Sequence, residues 1–348
     1  MSQTKYSGGK LIGTGSLTCI FSPQIPCDKT NKKHPDTISK IYISKKGKVS
    51  EEKKVTKIIK QLKDSSKWAV LLDKDCKPPN YKDIYKYDKD ILSCLHKFNV
   101  SKEEYNKYRQ MMYGPYGGIP MDDAFSGMID KSMILNPTKD TLQIMMNPLK
   151  SLFYGLSIMN QSSILHFDIK PGNILYKDDQ FRFIDFGITR KFSDPYIAQR
   201  SRVEFDGTRI YLFYPYEFIY MNAPKLELEE EREHYSSRSN YNVYEFIHKR
   251  LFKRNIQKSM KTTIDLCMKN PNKKEIIKKL DTYSLGISII KIIMSCILSK
   301  KLKLKHILDF FNHPSNDQLY SLLKSMTEPN SNNRPTIIQI YDIFTKLL

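Results

Sequence analysis

The stretch that decides the fold reads His166-Phe167-Asp168-Ile169-Lys170-Pro171-Gly172-Asn173, and Asp185-Phe186-Gly187 begins twelve positions after the asparagine. Between the two motifs, apolar runs at 174–176 and 181–184 flank the polar residues 177–180, a pattern that predicts a β-hairpin. This hairpin would carry Asn173 at one end and Asp185 at the other, so we expect both side chains at the same edge. A lone H-x-D is common by chance, whereas H-x-D-x-K-x-x-N followed at this distance by D-F-G is specific.

The combined pattern resembles the catalytic loop and metal-binding segment of eukaryotic-type Ser/Thr protein kinases. The resemblance implies that Asp168 is the general base and that Lys170 neutralises the moving phosphate. It also implies that Asn173 and Asp185 bind Mg²⁺, that ATP is the phosphate donor, and that protein serine or threonine hydroxyls are the acceptors. A lysine two residues after the base is typical of Ser/Thr kinases. A dual-specificity enzyme, which would also phosphorylate tyrosine, stays open as the alternative.

The resemblance implies an α+β fold, the bilobal protein-kinase-like fold with a small β-rich N-lobe and a larger helical C-lobe. A single kinase domain would cover 1–348, with the N-lobe at about 1–112, the hinge at about 113–117 and the C-lobe at about 118–348. Two segments are longer than the family needs, at about 74–107 and about 222–280. The second begins acidic and turns basic, and we interpret it as a helical surface elaboration beside the substrate face.

The N-terminal part of the chain carries a candidate phosphate-binding loop. Gly13 and Gly15 stand in G-x-G spacing between two strand-like runs, and their missing side chains would let backbone amides approach phosphate oxygens. The third glycine of the family pattern is Thr18 here, which puts nucleotide affinity and loop mobility in question. Lys40 lies in an alternating strand, where the family places a lysine on the α- and β-phosphates. The resemblance assigns the nucleotide-binding role to Gly13, Gly15, Ile20, Lys40, Met112, Tyr113, Gly114 and Pro115.

A helix after this strand would supply the acid that pairs with Lys40 and completes the catalytic set. Glu51 and Glu52 open a segment whose apolar residues recur at helical spacing. Glu52 is favoured, because Val55 and Ile59 follow it by three and seven residues, and Glu51 is the close alternative.

Three further elements are predicted from periodicity. Residues 68–72 read as a strand, 78–107 as a polar and mostly helical insertion, and 140–159 as one long core helix. The most apolar stretch, 283–298, is interrupted by Lys291 and is short for a bilayer, so it is interpreted as a buried core helix.

Three further expectations concern the segment after Asp185 and the residues that would contact it. Pro215-Tyr216-Glu217 and Asn333-Arg334-Pro335-Thr336 resemble family motifs whose glutamate and arginine form a pair sheltered from water. Phe167 stands where many kinases have an arginine that binds a phosphorylated activation loop, so we expect Phe167 to pack and the enzyme to work without that phosphate. Three arginines, Arg200, Arg202 and Arg209, would favour acidic or phospho-primed protein substrates, with solvated loop arginines as the equal alternative.

Composition bounds the partners. The net charge of +20 comes mainly from dispersed lysines, which favours nonspecific attraction to polyanions, and no nucleic-acid module is visible.

We expect no secretion signal at residues 1–6 and no membrane span. Six cysteines without a C-x-x-C pair suggest reduced thiols in an intracellular compartment, a host cell or virion if the chain is viral. Thr18, Phe167, the long inserts and the lysine-rich composition together resemble divergent kinases of large DNA viruses. The oligomeric state cannot be read from the sequence.

Two other functions are weighed against the active kinase. A pseudokinase scaffold normally lacks a catalytic residue, and none is missing here. A small-molecule kinase of the aminoglycoside type shares H-x-D and the downstream asparagine, but usually lacks D-F-G and the R-P-T arginine.

Overall fold

The computed structural model describes residues 9–15, 18–28, 36–43, 49–84, 90–269 and 271–348. Residues 1–6, for which no secretion signal is expected, lie outside these ranges. The chain divides into two compact units, Met1–Gly117 and Gly118–Leu348. The first is built on an antiparallel sheet and the second is mainly helical, so the expected α+β class with a small β-rich part and a larger helical part is confirmed.

The sheet of the first unit has the strand order β1-β2-β3-β5-β4, and all its neighbours are antiparallel. One core lies against it, where Phe21 and Ile41 of the sheet meet Leu95 and Tyr105 of the helices. The strands are β1 (Lys10–Thr14), β2 (Thr18–Ser22), β3 (Thr37–Tyr42), β4 (Lys74–Cys76) and β5 (Gln110–Pro115).

Five helices complete the first unit: α1 (Val49–Gln61), α2 (Ser65–Trp68), α3 (Tyr81–Ile84), α4 (Asp90–Lys97) and α5 (Lys102–Tyr108). The last three confirm the mostly helical character predicted for 78–107, in the part of that range that the structure describes. The strand predicted at 68–72 is wrong, because Trp68 ends α2 and its indole N–H donates to the carbonyl of Lys63 over 3.1 Å. The buried indole N–H needs a hydrogen-bond partner, and Trp68 finds one only from its position at the end of α2. Strand β4 begins six residues later, at Lys74.

Four of the six cysteines form disulfides, so the expectation of free thiols is wrong for them. Cys19 of β2 is bonded to Cys94 of α4, and Cys27 is bonded to Cys76 of β4. The partners are 75 and 49 residues apart, a connectivity that spacing alone does not reveal.

The second unit contains two small antiparallel sheets, β6-β8-β9 and β10-β7. The predicted hairpin after the catalytic loop is confirmed as β8 and β9, joined by Asp178 and Asp179 with φ of 53° and 56°. A two-residue turn with positive φ at both positions matches the twist of the strands, and aspartate tolerates it. The strands are β6 (Ile119–Pro120), β7 (Ile164–Leu165), β8 (Ile174–Lys177), β9 (Gln180–Phe183) and β10 (Arg190–Lys191).

Helices form the rest of the second unit: α6 (Met121–Met128), α7 (Lys131–Leu135), α8 (Lys139–Met146), α9 (Lys150–Gln161), α10 (Tyr196–Asp206), α11 (Tyr216–Tyr220), α12 (Lys225–His234), α13 (Tyr241–Glu245), α14 (Ile256–Lys269), α15 (Lys273–Lys278), α16 (Leu280–Ser299), α17 (Leu304–Phe311), α18 (Asp317–Met326) and α19 (Ile337–Leu347). The single helix predicted at 140–159 is wrong in one respect, since a 3₁₀ turn at Asn147–Leu149 divides it into α8 and α9. Pro148 lies in that turn, where it lacks the N–H that a continuous helix needs.

The predicted core helix is α16. By length and composition it could cross a membrane, but 72% of its most apolar 18-residue window is buried inside the protein. Its buried residues begin with Leu280 and Asp281 at the N-terminus, so a carboxylate enters the core beside the catalytic loop.

The second long segment, 222–280, is helical as predicted. It contains α12, α13, a π-helical turn at Phe246–Leu251, α14 and α15. Its helix α14 packs on both α11 and α12, which attaches the segment to the region that precedes it.

Candidate active site

The predicted catalytic loop, residues 166–173, lies in the second unit between β7 and β8. Lys170 Nζ donates to both carboxylate oxygens of Asp168, over 2.9 and 2.8 Å. The amide nitrogen of Asn173 donates to Oδ2 of Asp168 over 2.8 Å and to its backbone carbonyl over 2.9 Å. The structure therefore brings together three predicted site residues, and the carboxylate is oriented by a cation and an amide.

A fourth residue, Tyr211, also contacts the carboxylate. Its hydroxyl donates to Oδ1 of Asp168 over 3.1 Å. Burial raises the pKa of Tyr211, and the negative charge of Asp168 is the second-largest cause of this rise. The phenol therefore keeps its proton and acts as a donor. Sequence reasoning missed this contact. The aromatic spacing of Tyr211, Phe213 and Tyr214 was the available signal, and these rings do pack edge to face.

The backbone of the catalytic loop is held from the core. Asp281 accepts the backbone N–H of His166 over 2.7 Å and that of Phe167 over 3.1 Å. Thr189 donates its hydroxyl to the carbonyl of His166 over 3.1 Å. Burial raises the pKa of Asp281 to about 7, against the lowering effect of the two N–H donors. The loop thus depends on a carboxyl group that is 115 residues away in sequence.

Two buried rings surround the start of the loop. Phe167 is 1% exposed, stacks on Tyr214 with ring centroids 5.5 Å apart, and meets Phe218 edge to face. The expectation that Phe167 packs is confirmed. Its φ is 70°, a strained value for a residue with a side chain, and Tyr214 stabilises it by donating to the Phe167 carbonyl over 2.7 Å. Burial lowers the pKa of the neighbouring His166 to about 4, so this imidazole is neutral.

Asn173 and Asp185, the predicted Mg²⁺ ligands, are joined through the backbone. Ile184 donates its N–H to the carbonyl of Asn173 over 3.0 Å, and Asp185 follows with φ of 60°. The amide nitrogen of Asn173 points to Asp168, which leaves its oxygen for another partner. An amide oxygen and a carboxylate are hard donors of the kind that Mg²⁺ prefers, so these residues fit the ion.

The first unit carries the predicted lysine–glutamate pair. Lys40 Nζ in β3 lies 3.1 and 3.0 Å from the two carboxylate oxygens of Glu52 in α1, and both side chains are nearly buried. Tyr42 also donates its hydroxyl to Glu52. Of the two acids considered, Glu52 is therefore the one placed on Lys40, because α1 turns Glu51 outward to an exposed position.

The remaining residues assigned to the nucleotide lie along this sheet. Ile20 of β2 and Met112 of β5 flank Lys40 in register on neighbouring strands. Gly13 lies in β1, and the backbone N–H of Gly15 donates to the carbonyl of Thr18 over 2.9 Å. Residues 16 and 17 lie outside the described ranges.

The predicted hinge residues Tyr113, Gly114 and Pro115 form the end of β5. Gly114 is required there, because a Cβ atom would lie 2.7 Å from the carbonyl oxygen of Leu71.

The segment that follows Asp185 is anchored by the predicted buried ion pair. Arg334 donates to Glu217, with the two side chains 0% and 6% exposed. Glu217 also accepts the N–H of Ser331 over 2.7 Å, and Arg334 donates to the carbonyl of Glu328 over 2.8 Å. Every strong donor and acceptor in this pair has a partner, which is the condition under which a buried pair is stable.

Two of the three arginines expected to attract acidic substrates are paired with acids of the chain. Arg200 lies 2.6 Å from Glu204, and Arg202 lies 2.8 Å from both Asp206 and Glu227. Arg209 is exposed. Of the three arginines expected to attract acidic substrates, two therefore have their charge compensated within the chain.

Two comparisons with known proteins point to the same class of protein. The model of the protein kinase domain family matches residues 122–223, which include Asp168, Asn173, Asp185 and Glu217. The chain is 30% identical over 135 residues, 36% of its length, to serine/threonine-protein kinase 4 homolog B of Dictyostelium discoideum, of which the match covers 12%. The chain thus spans only a small part of that relative. Together the two matches support a protein kinase.

Proposed function

We propose that the chain transfers the γ-phosphoryl group of ATP to serine and threonine hydroxyls of protein substrates. The observation that carries the proposal is the Asp168 carboxylate, held by Lys170 and Asn173 at the loop that leads to Asp185. A base positioned in this way, next to a cation and an oxygen-donor pair, meets the needs of phosphoryl transfer, which depends on positioning and charge neutralisation.

In the proposed reaction the acceptor hydroxyl gives its proton to Asp168 while its oxygen bonds to the γ-phosphorus. The bond from that phosphorus to the bridging oxygen breaks, and ADP leaves with the electron pair. Lys170 lies 2.8 Å from the carboxylate and would offset the charge of the transferring group.

Asn173 and Asp185 would hold Mg²⁺, which supplies charge neutralisation to the phosphates when bound. In the first unit, the Lys40 ammonium is fixed by Glu52, and a fixed cation is suited to the α- and β-phosphates. The backbone around Gly13 and Gly15, which lack side chains, would allow close approach of the phosphates.

A preference for acidic or phospho-primed substrates is part of the proposal, and Arg209 is the residue that would bind the negative charge of such substrates. Arg200 and Arg202 contribute less, because neighbouring acids already pair with them. A peptide array in which the enzyme prefers basic residues around the acceptor, or shows no preference, would contradict the proposed preference for acidic substrates.

The test is a steady-state assay with labelled ATP, Mg²⁺ and a serine/threonine peptide array. Asp168→Asn and Asp185→Asn should each lower turnover by at least about 100-fold, since one removes the base and the other an anionic metal ligand. Asp179→Asn is the matched control, because Asp179 lies in the turn of the hairpin that follows the same loop and bonds only Tyr176 among the contacts described. Near wild-type turnover in either site variant contradicts the proposal.

A further inference from the structure

In the long segment 222–280, the side chain of Arg238 binds backbone carbonyls at the end of α10. Its guanidinium donates to the carbonyl of Gly207 over 2.5 Å and to that of Phe205 over 2.9 Å. It also binds both carboxylate oxygens of Glu231, over 2.7 and 2.9 Å. Arg238 and Glu231 are only 11% and 10% exposed, so this is a sheltered pair rather than a surface contact.

The two carbonyls belong to the C-terminal end of a helix. The last carbonyls of a helix have no partner within it, and the helix dipole makes this end negative. α10 ends at Asp206, and Gly207 continues in extended backbone with no intrahelical hydrogen bond of its own. A cation that donates to two of these carbonyls therefore satisfies groups that would otherwise be exposed or unpaired.

The contact continues along the backbone. Ser239 donates its N–H to the carbonyl of Thr208 over 3.3 Å and accepts the N–H of Ile210 over 3.0 Å, forming a parallel bridge opposite Arg209. The side-chain amide of Asn240 donates to the carbonyl of Ile210 over 3.3 Å. Three consecutive residues of the long segment thus hold residues 205–210.

Residues 205–210 directly precede the tyrosine that contacts the proposed base. Tyr211 follows Ile210, and its hydroxyl contacts Oδ1 of Asp168. In the proposed reaction an acceptor hydroxyl must approach this same carboxylate, so the backbone just before Tyr211 borders the place where the acceptor binds.

We propose that Arg238 is a positioning residue that anchors residues 205–210 beside the acceptor site, a role that rests on the proposed kinase activity. The anchor is built from the chain's own arginine and glutamate, and it needs no phosphate on the segment. Its loss should weaken use of the acceptor and leave use of ATP unchanged.

The first test reads the anchor without any assay of activity. Hydrogen–deuterium exchange of peptides covering 205–211 is compared in the full chain, in Arg238→Ala and in Arg232→Ala. Arg232 is the matched control, since it lies in the same segment and is paired, but with Asp265 of α14. Arg238→Ala should raise exchange at 205–211 by about tenfold or more, and Arg232→Ala should not. Equal exchange in the two variants would overturn the anchor, whether or not the chain transfers phosphate.

The second test separates positioning from a general loss of stability. Arg238→Ala should lower kcat/KM for the acceptor peptide by about tenfold with KM for ATP within about twofold, and Arg238→Lys should recover only part of it. A lysine keeps the charge but cannot donate to both carbonyls and both carboxylate oxygens at once. A loss no larger than that of Arg232→Ala would overturn the positioning role. A wild-type chain that phosphorylates no peptide would overturn the proposed function instead, and the exchange experiment would still decide the anchor.

Discussion

The hydroxyl of Tyr211 donates to Oδ1 of Asp168 over 3.1 Å, so the proposed base is held from three directions. Lys170 and Asn173 come from the catalytic loop itself, whereas Tyr211 comes from the segment that the long insertion holds. The Tyr211 hydroxyl therefore connects the proposed base to residues 205–210, which directly precede Tyr211 in the chain.

Tyr211→Phe removes this donor and keeps the ring and its edge-to-face contact with Tyr214. We expect kcat to fall by about tenfold, because the carboxylate loses part of its orientation, with KM for ATP unchanged. The measurement is steady-state kinetics with varied peptide and ATP. Tyr176→Phe is the control, since its hydroxyl bonds Asp179 in the hairpin turn. A kcat equal to that of the control would mean that the contact does not serve catalysis.

Lys40→Met tests the pair in the first unit. Removing the ammonium leaves the Glu52 carboxylate without its cation and should lower turnover by about 100-fold or more while the fold persists. Turnover and the thermal unfolding midpoint are measured together, beside Lys10→Met, which removes an exposed lysine of β1. If Lys40→Met kept the turnover of Lys10→Met, the assignment of Lys40 to the phosphates would be wrong.

Much of the site was predictable because its chemistry is local. Asp168, Lys170 and Asn173 lie within six consecutive residues, and the hairpin to Asp185 follows from two apolar runs and an Asp-Asp turn. The Arg334–Glu217 pair was found at long range only because both motifs are themselves specific.

What the sequence could not predict are contacts between distant segments with no shared motif. Tyr211 lies 43 residues from Asp168, and Arg238 lies 31 residues from Gly207. Nothing in the local pattern distinguishes Arg238 from a solvated arginine, because its burial arises only when Glu231 and the end of α10 meet it. The disulfides were missed for the same reason. The break at Pro148 was overlooked because the apolar periodicity continues through it.

Phosphorylation of the segment after Asp185 should not be needed for activity. The Phe167 ring cannot bind a phosphate. The segment contains Ser193, Ser201 and Thr208 as possible phosphorylation sites, but Ser201 is 0% exposed and its hydroxyl donates to the carbonyl of Phe218 over 2.8 Å. Ser193 and Thr208 are exposed and reachable. Chain expressed in bacteria and treated with phosphatase should keep its initial rate. A collapse that is reversed by rephosphorylation at Ser193 or Thr208 would contradict this prediction.

Arg334→Ala should lower the free energy of unfolding by about 3–5 kcal/mol, because it leaves the buried Glu217 carboxylate without its cation. Urea unfolding followed by circular dichroism measures the change. Lys249→Ala, which breaks the exposed pair with Glu245, should cost about 0.5 kcal/mol or less. A similar small loss in both variants would show that the pair is not sheltered in solution.

The pH dependence of stability should carry the signature of His166. Its folded-state pKa is about 4 because of burial, whereas the unfolded chain binds a proton near 6.5. Between these values the unfolded state holds a proton that the native state lacks, so acidification from 6.5 to 4 destabilises the fold by about 3 kcal/mol through this residue. Above 6.5 the contribution is constant.

Asp281 acts in the opposite sense in nearly the same window, since its folded-state pKa of about 7 makes the native state hold a proton that the unfolded state has lost. The wild-type profile is the sum of such effects, and the comparison with His166→Asn isolates the histidine. In that variant the free energy of unfolding, measured by urea at several pH values from 4 to 7, should fall less steeply on acidification. His234→Asn removes an exposed histidine of α12 and should leave the slope unchanged. If His166→Asn and wild type had parallel profiles, His166 would have to bind its proton as readily in the folded chain as in the unfolded one.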